Sequence, residues 1–102
     1  MSPRPVSLDS TLAIEVEIRA EKASALRRVA HRVESLLAEL KQLEPSLVAA
    51  SGQARERLVA RHRELRAEME KQRWYLIVQR EAMGLRQHDD IFELYALPAA
   101  VK

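Results

Sequence analysis

From residue 26 to residue 47 the apolar positions recur at intervals of three and four: Leu26, Val29, Val33, Leu36, Leu40, Leu43 and Leu47. That spacing is the a/d seam of a heptad repeat and predicts a helix with one continuous apolar edge. Ala23, Ala30 and Leu37 stand beside the seam and widen it beyond what a single neighbouring helix would cover. A second seam follows in Leu58, His62, Leu65, Met69, Gln72, Leu76, Gln79 and Met83, with the same alternation but three polar members. The second helix is therefore less committed to a dry interface than the first.

Punctuation between and after the seams sets the expected ends. Asp9, Ser10 and Thr11 offer N-cap oxygens for a helix starting near residue 11. Pro45 lacks the amide that would continue the ladder and restricts Glu44, so the first helix is predicted over about 11–44. The segment PSLVAASG then connects to a second helix over about 52–83, with Ser51 as its N-cap. Gly84 suits the left-handed residue that follows a helix end. Asp90 and Glu93 have capping-box spacing and Pro98 is a stop, which predicts a short third helix over about 91–97. Residues 12–19 alternate apolar and polar with period two, a strand signature. They are assigned to the first helix, because no Gly, Pro or Asn separates them from it and no strand is on offer to pair with.

The predicted fold is all-α: a long antiparallel helical hairpin with a short C-terminal helix, dimerising through its seams into a four-helix bundle. It forms one domain over 9–102 behind a flexible lead-in at 1–8. With the turn centred near residue 48 or 49, positions whose numbers sum to about 97 would face each other. Arg55, Arg57, Arg61 and Arg63 would then lie alongside Glu34, Glu39 and Glu44, and Arg27, Arg28 and Arg32 alongside Glu64, Glu68 and Glu70.

Composition agrees with helices and narrows the chemistry. Hydrophobic residues make up 47% of the 102 residues but aromatics only 4%, so the helices must meet through Leu, Val and Ala. Two Gly and four Pro are too few for the turns of an all-β fold. The absence of Cys excludes disulfides, thiol catalysis and thiolate metal sites. No apolar stretch approaches the ~20 residues that cross a bilayer, and the N-terminus lacks a secretory h-region. A cytoplasmic protein without a membrane partner is expected, and Arg- and Ala-rich usage suggests a bacterial source.

A pI of about 9.3 raises nucleic acid as a partner, and residues 55–66 carry five Arg against two Glu. The net charge is only +2, however, and no aromatic interrupts that basic run to stack bases. A basic hairpin binding nucleic acid is the alternative reading. Metal binding would need His and carboxylates to converge. His31 and His62 would come within about one helical turn of each other, but the Glu-x-x-His pairs of di-iron bundles are missing. No metal or cofactor is expected. An enzyme would have to use Gln72, Arg73, Gln79, Arg80 and Glu81 around a small anion, without any phosphate loop or nucleophile elbow. That reading ranks third, and His88-Asp89-Asp90 reads as a helix cap.

One block resists this plain account. Trp74, Tyr75, Leu76, Ile77 and Val78 are consecutive, and at 100° per residue they cover every side of a helix. The facing stretch expected on the first helix, residues 19–23, supplies only Ala as cover. Ile14, Val16 and Ile18, the C-terminal Ile91, Phe92, Leu94, Tyr95 and Leu97, or a second copy would have to bury the remainder. The predicted function is a non-enzymatic protein–protein interaction module, an adaptor or scaffold. Its partner surface is expected at Trp74, Tyr75, Ile77, Val78, Phe92 and Tyr95, with Arg80, Arg86 and His88 as a polar rim.

Overall fold

The structure, a computed structural model, describes the chain from residue 8 onward, with side chains from Thr11. The lead-in expected over 1–8 falls outside it, apart from residue 8. Three helices follow in order: α1 at Leu8–Ala49, α2 at Gly52–Ala82 and α3 at Asp89–Leu94, with no strand among the described residues. Residues 12–19 are helical, as their unbroken link to the heptad segment required. The first helix begins before Asp9, Ser10 and Thr11, so these residues lie inside it and not at its cap.

Pro45 does not end α1, which continues for four more residues. The missing amide leaves the Lys41 carbonyl without its ladder bond, but Lys41 and Pro45 are both exposed, so water can serve that oxygen. Two positions later Leu47 is buried, and burial of such a side chain stabilises by roughly 1.5–3 kcal/mol. That gain is of the size of the ~3 kcal/mol interior-proline penalty. The amide of Ala50 still bonds the Ser46 carbonyl at 3.0 Å.

The connection is reduced to Ala50 and Ser51. Ser51 occupies the N-cap position in extended conformation but makes no side-chain cap bond. The reversal is taken by Gly52 at φ +61, a left-handed backbone that a Cβ would oppose. The later turn moves the register. Arg61 reaches Glu39, and Lys22 and Ala25 share a cavity wall with Gln79 and Ala82. Facing positions therefore sum to about 100, not 97. Residues 74–78 lie opposite 22–26, and α1 overhangs the end of α2 by about ten residues.

The core is a single row. Val33, Leu36 and Leu40 from α1 meet Leu65, Met69 and Leu76 from α2, with Ile91 and Tyr95 from the C-terminal segment. Leu26, Val29, Leu43 and Ile77 pack on its margins, and Ala30, Leu37 and Leu97 close the flank that Ala30 and Leu37 had widened. Along this row the seams are filled within one chain. Leu58 is half-buried, Met83 exposed, and His62 is fully enclosed in the row.

Beyond α2 the chain reverses at Gly84, φ +88, through two paired bonds: the Leu85 amide to the Arg80 carbonyl at 3.0 Å and the Gly84 amide to Glu81 at 2.9 Å. This is the left-handed helix stop that the glycine's position implied. The third helix starts two residues earlier than expected. His88 takes the N-cap position, its carbonyl accepting from the Ile91 and Phe92 amides, and Asp90 lies inside the first turn. The helix ends before Tyr95, short of Pro98, and the remainder returns along α2 as an irregular strap.

Truncating the row and truncating the surface should separate cleanly. Leu36→Ala or Met69→Ala is expected to destabilise the fold by about 2–5 kcal/mol in urea unfolding. Val48→Ala, at a side chain 88% exposed, should stay within ~0.5 kcal/mol of the parent.

Candidate functional site

Four arginines on one flank of α2 hold the returning strap. Arg80 Nη1 donates to Asp90 Oδ1 at 3.0 Å, and Arg73 Nη1 to the Tyr95 carbonyl at 3.2 Å. Arg66 Nε donates to the Pro98 carbonyl at 2.7 Å, and Arg55 Nη1 to the Lys102 carbonyl oxygen at 3.3 Å. Arg66, Arg73 and Arg80 are seven apart and Arg55 eleven before them, intervals of two and three turns that return to one side of a helix. The strap carries no ladder of its own, so its carbonyls need donors, and arginines supply charge-assisted ones. Arg73 also lies over the Phe92 ring at 5.1 Å. This stripe is a structural feature that sequence reasoning missed, though its heptad spacing was the available signal.

Across the groove the strap is pinned to α1. The Tyr95 hydroxyl donates to Glu34 Oε1 at 2.5 Å. Burial, and then the bond to the carboxylate, push the Tyr95 hydroxyl up to about 12. The Arg80 guanidinium bonded to Asp90 holds that carboxyl below its usual range. His88 Nε2 meets Glu81 Oε1 at 3.2 Å, while its Nδ1 is enclosed without a partner, as is Gln79 Oε1.

The nine residues expected to meet a partner therefore divide. Tyr95 belongs to the core, and Ile77 packs against it. Arg80 and His88 are spent on the turn between α2 and α3. Trp74, Tyr75, Val78, Arg86 and Phe92 are exposed, with Trp74 at 60%. The Trp74 and Tyr75 rings meet edge to face at 5.6 Å, and Lys71 Nζ stands 5.9 Å from the Tyr75 ring centre. Exposed apolar side chains that sequence reasoning did not place here are Met83, Leu85 and Leu94. The block of five is hydrophobic all round, yet only Leu76 is fully covered. Ile14, Val16 and Ile18 do not reach it. They lie on the overhang beyond the end of α2, exposed themselves together with Leu12.

The expected charge pairing across the hairpin is mostly unmade. Among the described residues, Arg61–Glu39 at 3.6 Å is the only salt bridge between α1 and α2. Arg55 and Arg66 turn to the strap, and Glu68 accepts from Gln72 on its own helix. His31 and His62 lie about two turns out of level, one exposed and one buried, and no three His, Asp or Glu converge as a metal site among the described residues. Gln79 lines a depression of about 180 Å³ with Lys22, Ala25 and Ala82, away from Arg80 and Glu81, which are engaged with Asp90 and His88. No helix among the described residues is long and apolar enough to cross a membrane.

No family model matches the chain, and neither a curated protein nor a solved structure matches its sequence or its fold.

Tyr95 gives the strap a pH limit. A tyrosine held above its ordinary 10.0 stabilises the folded state fully below about pH 10, and that contribution is lost as pH rises through about 12. Unfolding measured over that interval should show declining stability, and Tyr95→Phe should flatten the decline. An equal decline in the variant would mean the Tyr95–Glu34 bond is not its source.

Proposed function

We propose that the chain is a small protein–protein interaction module, an adaptor or scaffold without catalytic chemistry of its own. Its contact surface lies between residues 74 and 97. The observation that carries this reading is the row of large apolar side chains left in water on well-packed helices. Trp74, Tyr75 and Val78 occupy the outer side of α2, and Phe92 and Leu94 stand on α3. Side chains of this kind are enriched at the centres of interfaces, and Trp and Tyr lead the residues that dominate binding energy. Leu76, Ile91 and Tyr95 anchor the same segments from beneath, so the surface is rigid before any partner arrives and little ordering entropy opposes binding. Arg86, exposed beside Leu85, contributes charge at the rim.

The alternative, a nucleic-acid site over residues 55–66, has less to work with. Arg55 and Arg66 hold strap carbonyls and Arg61 is paired with Glu39 and Glu64, leaving Arg57 and Arg63.

Affinity capture from the native host tests the module. Wild type is compared with Val78→Asp and with Phe92→Ser, both at exposed positions, after circular dichroism has established unchanged helicity. Partners are expected with wild type and should be lost with at least one variant. Recovery of the same set by all three forms would place the contact surface elsewhere.

A further inference from the structure

The overhang and the outer face of α2 are two unmet needs in one molecule. At 100° per residue, Ile14 and Ile18 continue the row of Leu36 and Val29 that packs on α2. Leu12 and Val16, nearly opposite, continue the flank of Ala30 and Leu37 that faces the strap. Both stripes run on past the point where their cover stops, and all four side chains are about half exposed or more. A helix apolar on two opposite sides is built to lie between two other elements.

Charge says what those elements are. Residues 11–21 hold Glu15, Glu17 and Glu21 against a single Arg19. The neighbouring stretch of α1, residues 22–33, holds Lys22, Arg27, Arg28 and Arg32 and no acid. Facing it, Lys71 stands beside the Tyr75 ring, while Arg73 and Arg80 are turned to the strap flank. Among the described residues none of Lys22, Arg27, Arg28, Arg32 and Lys71 makes a salt bridge. An acidic apolar segment therefore sits next to a basic face floored by Trp74, Tyr75 and Val78. Within one chain they cannot meet, because the rigid helix carries the segment away from the face.

We propose that a second copy of this chain is the occupant, in a reciprocal exchange: residues 12–18 of each protomer lie across the Trp74–Val78 face of the other. The inference rests on the interaction-module reading and names the partner at the Trp74 end of that surface. A partner turned end for end, with its residues 11–18 level with residues 19–26, comes alongside residues 75–82 of α2 in the observed register. Both exchanges then form around one two-fold axis, a closed arrangement that leaves no open end. The depression between Ala25 and Ala82 lies on this path and gives an overhang side chain an apolar seat. Direct pairing of overhang with overhang would bring like charges together. Phe92 and Leu94 remain free for another protein, so the dimer presents two such sites.

Sedimentation equilibrium on the full chain decides the matter, with emission from Trp74, the only tryptophan, as a local probe. Wild type is expected at twice the 11.7 kDa of one chain, with emission moving to shorter wavelength as concentration rises. Ile14→Glu/Ile18→Glu, at positions exposed in the single chain, should run at the monomer mass with unchanged helicity and no emission shift. Lys22→Glu/Lys71→Glu should weaken the dimer, and adding Glu15→Lys/Glu17→Lys in the same chain should restore it. A monomeric wild type at all concentrations overturns the proposal, as does a dimer that survives the Ile14/Ile18 change. A monomer that binds a single-stranded oligonucleotide through Lys71 and Trp74 overturns it in favour of nucleic acid. A monomer that still loses its captured partners on Phe92→Ser removes self-docking and leaves the interaction module standing.

Discussion

Everything in this molecule depends on one dry row between two long helices, in which Val33, Leu36, Leu40, Met69 and Leu76 are nearly or wholly removed from water. Two helices alone cannot make such a row, since a pair leaves its flanks wet. The third side is supplied by Ile91 and Tyr95 of the strap, so the C-terminal segment is part of the core and not an appendage. The row also enforces the register. Once Leu47 is buried, α1 must pass through Pro45 and the turn must fall at residues 50–52, which brings Arg61 to Glu39.

That register decides how the surface charges are used. An arginine-rich helix invites a search for phosphates, but here the arginines on the strap flank serve the chain itself. Arg55, Arg66, Arg73 and Arg80 satisfy carbonyls and one carboxylate of a segment that has no hydrogen-bonded partner strand. The opposite flank has no strap, and there the bases between residues 22 and 32 are left without carboxylates. The bases of the two flanks are therefore two populations. One holds the strap, and the other is exposed without a carboxylate.

The helical plan was legible because heptad spacing is a local property of the chain. The two seams, the glycine stop at residue 84 and the assignment of residues 12–19 to helix needed no knowledge of the rest of the molecule. The errors came where a local rule met a long-range contact. Pro45 reads as a terminator until the burial of Leu47 opposes it, and Asp90 reads as a cap until Arg80 takes its carboxylate. The candidate surface was legible by type but not by orientation. Trp74 and Val78 face water, whereas Tyr95 from the same list is enclosed, and nothing in their own neighbourhood distinguishes them.

By itself, then, the sequence determined an all-helical chain with two amphipathic helices, a sharp reversal after each, and more apolar surface near residue 74 than a hairpin can hide. Periodicity and turn chemistry act over a few residues, so those features are written locally. Only the tertiary structure decided the offset between the helices, the path of the strap and the length of the overhang. Each of these depends on summing contacts between segments far apart in the chain, and a shift of a single turn in that sum moves every charge to a new neighbour. The surplus apolar surface has thereby acquired positions: the outer side of α2, the face of α3, and a helix end that reaches past its own cover.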